Sequence, residues 1–287
     1  MKWKGRRSSS NVEDRRSSGS SKMGGIGGKG IMGGGLGIII LIIIALMGGD
    51  VGSIINNPGI AAPGNNTTYE STQEEEDLKD FVSVVLADTE DAWSEIFREN
   101  KMSYQNPTLV IFNDSVQSAC GVAGSSTGPF YCPADQKLYI DLSFYKELGE
   151  RFGAPGDFAM AYVIAHEVGH HVQTLLGISQ QVQKIQSQVS QTEANKYLVR
   201  LELQADYFAG VWANHAKDKG YLDEGDLEEA LNAANAIGDD RLQKSAQGYV
   251  VPDSFTHGTS AQRMKWFKLG FQYGDLNHGD TFNADDL

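Results

Sequence analysis

Residues 158–177 read FAMAYVIAHEVGHHVQTLLG. Up to its histidines the stretch is apolar nearly all round, and a helix apolar on every side has to be buried on every side. Whatever fold the chain adopts must therefore be built around this helix. Asp157 stands where an N-cap would, and Gly177 is placed to end it.

The same helix carries groups that a core rarely tolerates. His166 and His170 fall one turn apart on one face, and Glu167 lies about 100° round from His166. Two imidazoles at this spacing can bind one metal ion, and the glutamate can reach a water on that ion. His-Glu-x-x-His arises by accident in roughly 0.7% of chains of this composition, so a third ligand has to be sought. The best candidate lies 32 residues past His170, in YLVRLELQADYFAGVW. Leu198, Glu202, Ala205, Ala209 and Trp212 share a helical face, which sets Glu202 inside an apolar stripe. A buried carboxylate without a partner is costly, and a metal would resolve that cost. The bland alternatives are a Glu202 that reaches water from the stripe's edge and an Asp206 exposed at the surface. If it is buried, Asp206 can accept the N–H of a ligating imidazole and fix its tautomer. Two His and one Glu suit zinc best, and three protein ligands leave a catalytic position open.

The rest of the chain predicts an α+β fold, strands first and then mostly helices. Thr72 and Glu75 fit a capping box. Leu78, Phe81, Val82, Val85, Leu86, Trp93, Ile96 and Phe97 then recur at helical spacing. TLVIFN (108–113) and KLYIDL (137–142) read as strands, separated by the Gly-rich loop CGVAGSSTGPFYC. Further helical patterns follow at 144–152, 180–219, 226–234 and 260–273.

Charge is spread unevenly. Residues 1–29 hold eight Lys or Arg and two acids, residues 30–49 hold no charge, and the remainder carries a net −19. An acidic body excludes nucleic acid as a partner, since phosphate binding needs a basic face. The uncharged stretch GIMGGGLGIIILIIIALMGG matches the roughly 20 residues that cross a bilayer as a helix. No small-x-small cleavage site follows it, which favours a retained anchor over a signal peptide. The organisation expected is a disordered basic cytoplasmic segment (1–30), a transmembrane helix (31–49), a flexible linker (50–72) and a folded domain (73–287). By the positive-inside rule the N-terminus stays cytoplasmic and the domain lies outside the cell membrane. Cys120 and Cys132, in an oxidising compartment, are expected to form a disulfide.

HEVGHH, together with ELQADYFAGVWA, GPFYCPADQKLYIDLSF and FTHGTSAQRMKWFKLGF, resembles the bacterial neutral zinc metallopeptidase family over about residues 75–275. The resemblance implies a membrane-anchored endopeptidase with a mostly helical, zincin-like domain and a small sheet. It implies zinc held by His166, His170 and Glu202, with Glu167 as general base and Asp206 behind the ligands. His257 is the first candidate to stabilise the oxyanion, with Arg263 and Arg241 as others. Tyr131 and Tyr139 are expected to pack or line the cleft, and His171 to pack. His215 and His278 are expected in solvent. The partner is a peptide or protein substrate, taken up along a sheet edge in the GPFYC and KLYIDL region. Two other readings stand beside this one: a zinc-stabilised, non-catalytic peptide- or protein-binding envelope protein, and an envelope scaffold whose metal is structural.

Overall fold

The computed structural model describes residues 1–17 and 69–287. Helix α1 (Gln73–Glu99) starts from Thr72, whose hydroxyl accepts the Glu75 N–H while the Glu75 carboxylate accepts the Thr72 N–H. Three acids in its first turn complement the helix dipole. Six short strands occur among the described residues, β1 (Val12–Asp14) before α1 and five after it: β2 (Thr108–Phe112), β3 (Ser115–Ser118), β4 (Gly121–Gly124), β5 (Phe130–Cys132) and β6 (Lys137–Asp141). β3 and β4 pair as a hairpin. The others form a sheet in the order β1-β2-β6-β5, parallel except for β5, which runs antiparallel to β6. Among the described residues β5 is thus a free antiparallel edge.

The helical part comprises α2 (Phe144–Glu150), α3 (Asp157–Leu175), α4 (Ile178–Gln186), α5 (Gln191–Asp218), α6 (Asp226–Ala236), α7 (Asp239–Gln247) and α8 (Ser260–Tyr273). The α+β expectation holds. α3 lies at the centre, against α1, α5 and α6, with β5 along one side. Its apolar run is buried all round, Phe158, Ala159, Met160, Tyr162 and Val168 included. α8 packs on α5 almost backbone to backbone: a Cβ on Gly270 would lie 1.9 Å from the Tyr207 carbonyl oxygen, and one on Gly210 would lie 2.1 Å from that of Phe267. The Cys120–Cys132 disulfide is present and ties the β3–β4 turn to the end of β5.

Some expectations change. Asp157 is the first residue of α3 rather than its cap, which is Gly156. β3, β4, β5 and α7 were not foreseen, being short and set among glycines or polar residues. The expected transmembrane helix at 31–49 lies outside the described residues, as does most of the linker. No helix among the described residues is long and apolar enough to cross a membrane.

The larger correction concerns the basic N-terminus, expected to be disordered over residues 1–30. Residues 1–17 are folded onto the domain. β1 extends the sheet beside β2. Ser9 Oγ and Asn11 Nδ2 donate to the buried Glu90 carboxylate at 2.6 and 2.7 Å, and Arg7 Nη1 reaches its other oxygen at 3.1 Å. Arg6 pairs with the buried Asp88. Composition suggested disorder because these polar residues bury little apolar surface themselves. Their partners, about 80 positions away on α1, supply the ordering energy instead.

Replacing Glu90 with Ala leaves the Ser9, Asn11 and Arg7 donors without their acceptor. The expected loss is about 2–4 kcal/mol, read as a lower urea midpoint. Limited proteolysis should then cut within residues 1–17 of the variant and spare the native protein.

Candidate metal centre

α3 and α5 cross at Gly169, where a Cβ would sit 2.9 Å from the Ala205 carbonyl oxygen and 3.1 Å from its Cα. The glycine inside HEVGHH therefore lets the histidine helix lie directly on the helix that carries Glu202 and Asp206. His166 Nε2 comes within 3.1 Å of Glu202 Oε2, and His170 Nε2 within 3.4 Å of Glu202 Oε1. One ligand atom from each of these three residues lies within 4.8 Å of the others.

The remaining ring nitrogens are engaged. His166 Nδ1 is 2.9 Å from Asp206 Oδ1, and His170 Nδ1 is 2.9 Å from Gln173 Oε1. Both partners are acceptors, so each Nδ1 carries a proton. In the neutral rings both Nε2 lone pairs then point at a carboxylate that offers only lone pairs. Protons or a cation must lie between them. A tetrahedral ion with bonds of about 2.0–2.1 Å spaces its ligand atoms by about 3.3–3.4 Å, so the cluster fits a metal of that size.

Behind the ligands is a closed polar layer. Arg263 Nε and Nη2 donate to the two Asp206 oxygens at 2.8 and 2.9 Å. The Tyr162 hydroxyl donates to Asp206 Oδ1 at 2.5 Å. Gln173 Nε2 donates to the Leu201 carbonyl at 2.7 Å, which fixes the amide that orients His170. Arg263 thus lies behind His166, buried with Asp206, and not where an oxyanion would develop. Arg241 is exposed on α7 and makes no contact with the cluster among the described residues.

Burial favours the neutral form of each of these groups, and the neighbouring charges decide the outcome. For Asp206 burial pulls upward, but Arg263 and His166 outweigh it and hold the carboxyl down at about 2. For His166 burial pulls downward, but Asp206 and Glu202 hold the imidazole up at about 10. His170 is raised against burial by Glu202. Glu202 is held well below the usual carboxylate range, against burial, by His170 and His257. Glu167 is the exception: burial raises it and prevails over the pull of His170 and His166. It is half-buried, on the side of α3 that faces β5.

His257 is held in a loop organised by Asp239 at the start of α7. Asp239 Oδ2 accepts the backbone N–H groups of Thr256, His257 and Gly258 at 2.7, 2.6 and 3.0 Å. Asp239 Oδ1 lies 3.3 Å from His257 Nδ1. The imidazole is raised against burial by Glu202 and Asp239, which places it in the electrostatic field of the cluster. His257 Nε2 has no hydrogen-bond partner among the described residues.

The other candidates stand apart. His171 bridges the Gln105 carbonyl at 2.6 Å and the Tyr131 hydroxyl at 3.1 Å, and so packs α3 against β5. Tyr139 is buried, stacks on Phe130 and donates to Asp135. His215 is half-buried near the Gly274 carbonyl, and His278 is exposed against Asp275. A second acidic group, Asp157, Asp226 and Glu229, surrounds the Met1 amino group, which pairs with Asp157 and Asp226. Gln173, Tyr162 and Asp239 were not foreseen. The one signal for Gln173 was its place three residues after His170, on the turn that faces back to that ring.

The family model described as "Putative neutral zinc metallopeptidase" matches residues 1–282. "Uncharacterized protein YpfJ" of Escherichia coli K12 is 51% identical over 285 residues, covering 98% of this chain and 99% of the relative. "Uncharacterized protein Rv2575" of Mycobacterium tuberculosis H37Rv is 39% identical over 258 residues, covering 84% of this chain and 86% of the relative. No solved structure matches the chain.

Proton linkage at the cluster can be measured. Without a metal, both imidazoles sit above their ordinary 6.5, His166 at about 10, which favours their protonated forms. Their ion pairs stabilise the metal-free fold fully below about pH 6.5, and that stabilisation is lost as pH rises through the raised values. A metal reaches the nitrogens only by displacing those protons. Calorimetry in two buffers of different ionisation enthalpy should show proton release on zinc binding at pH 7, with affinity rising between pH 6 and 8.

Proposed function

Because the chain belongs to the neutral zinc metallopeptidase family, we propose that it is a zinc-dependent endopeptidase with His166, His170 and Glu202 as ligands. The observation that carries this reading is the convergence of two Nε2 lone pairs on the Glu202 carboxylate, with Glu167 beside them on the half-exposed side of α3. A zinc ion held there would supply an activated water and a Lewis acid.

The chain's own groups account for the rest. Glu167, raised by burial and so a stronger base than an exposed carboxylate, would take a proton from the attacking water and pass it to the leaving nitrogen. Asp206 holds the His166 ring in the tautomer that presents Nε2, and Gln173 does the same for His170. His257, fixed by Asp239 and with no partner for Nε2 among the described residues, would donate to the developing oxyanion. Among the described residues β5 is an unpaired antiparallel sheet edge beside α3, which suits the uptake of an extended peptide as an added strand. An active helix flanked by such an edge is what the zincin-like reading rests on. The disulfide favours an oxidising compartment as the place of work. A non-catalytic zinc-binding protein would have no need of Glu167, which is not required as a ligand.

Glu167→Gln should lower kcat on unfolded-protein substrates by about 10²–10⁴-fold while metal analysis still finds one zinc per chain. Loss of zinc from that variant would contradict a role confined to the proton. His257→Ala should lower kcat by roughly 10²-fold, with KM and zinc content little changed. An unaltered kcat would remove His257 from the chemistry.

A further inference from the structure

A chain that passes once through a bilayer has its two flanks in different compartments. Here the flanks of segment 18–68 touch. β1 pairs with β2 in register, Val12 opposite Leu109 and Asp14 opposite Ile111. Further backbone bonds run from Lys2 N–H to the Tyr221 carbonyl, from Ser9 N–H to the Ser83 carbonyl and from Arg15 N–H to the Ile111 carbonyl, each at 2.8–2.9 Å. Trp3 packs edge-on against Phe81 with ring centroids 5.6 Å apart. These contacts reach α1, the sheet and the loop after α5, so residues 1–17 are built into the domain rather than resting on one surface of it.

We propose that residues 1–17 and residues 69–287 occupy the same side of any membrane the chain meets. The buried charges carry the argument furthest. Asp88 and Glu90 on α1 are both buried, and residues 1–17 supply the Arg6 partner of the first and the Ser9, Asn11 and Arg7 partners of the second. On the other side, the buried Arg16 pairs with Glu76 on α1 at 2.7 Å. A domain folded without its N-terminal segment would lose the partners of both carboxylates, and breaking a buried pair on one side costs more than losing an exposed one. β2, whose Leu109 and Ile111 are buried, would also become an unpaired sheet edge.

Of the six basic side chains in residues 1–17, five pair with acids: Lys2 with Asp223, Arg6 with Asp88, Arg7 with Glu90 and Asp91, Arg15 with Glu13, and Arg16 with Asp14 and Glu76. Their positive charge belongs to the fold. The proposal is independent of whether the metal centre hydrolyses peptides.

The test uses the full chain, expressed in a bacterial host, with one added cysteine at a time. Ser10→Cys reports the N-terminal segment and Gln188→Cys the domain; both positions are exposed. The native cysteines are joined in a disulfide, and the unaltered chain corrects for any background. Spheroplasts are treated with a membrane-impermeant maleimide before and after permeabilisation. The expected result is that the two positions behave alike, both modified or both protected before permeabilisation, and that both react fully afterwards. Modification of one with protection of the other would overturn the proposal and restore a single crossing.

Discussion

The buried pair between Arg263 and Asp206 is the contact on which the metal centre depends. Removing two charges from water costs several kcal/mol each. Here the cost is offset by complete pairing: Asp206 accepts from Tyr162, His166 and two Arg263 nitrogens, and Arg263 also donates to the Ile237 carbonyl. A packed apolar cluster would stabilise the fold as well or better. What it could not do is hold an imidazole in one tautomer. The pair brings α8 to α3 through α5, and the glycine contacts at 210 and 270 set how close α8 can come. The position of one ring nitrogen is thus coupled to the packing of three helices.

The centre is asymmetric as a result. On the closed side, Asp206, Arg263 and Tyr162 are buried and have no room to move. On the other side, Glu167 and His170 are half-buried and face β5 and the His257 loop. Rigidity where a ligand must be oriented, and access where a proton and a substrate must arrive, are separate requirements. Placing the motif on a central helix meets both, because successive turns of one helix, and positions about 100° apart around it, can meet different surroundings.

The parts of this centre that were legible in the sequence are those set by local helical geometry. His166, Glu167 and His170 follow from spacing on one helix, and Glu202 and Asp206 from a polar interruption of an apolar stripe on another. Gln173, Tyr162 and Asp239 were missed because their roles exist only once α3, α5, α7 and the loop at 255–258 have come together. Arg263 was noticed but assigned to the wrong side, since spacing within α8 says nothing about which face of His166 it meets. The strands β3, β4 and β5 are too short for a period of two to show, and β5 is recruited by pairing with β6 rather than by its own pattern.

The misreading of residues 1–17 has the same origin and a clear remedy. Glu90 falls four residues after Leu86 and three before Trp93, on the apolar stripe of α1. The reasoning that singled out Glu202, a carboxylate where a core side chain belongs, applied to Glu90 with equal force. A buried carboxylate announces that a partner exists but not what kind. At Glu202 two imidazoles arrive, and their lone pairs leave a place for a cation. At Glu90 a hydroxyl, an amide and a guanidinium arrive, all donors, and the site is complete without one. The chemistry of the arriving groups, donors or acceptors, therefore separates a metal ligand from a structural anchor where burial alone cannot.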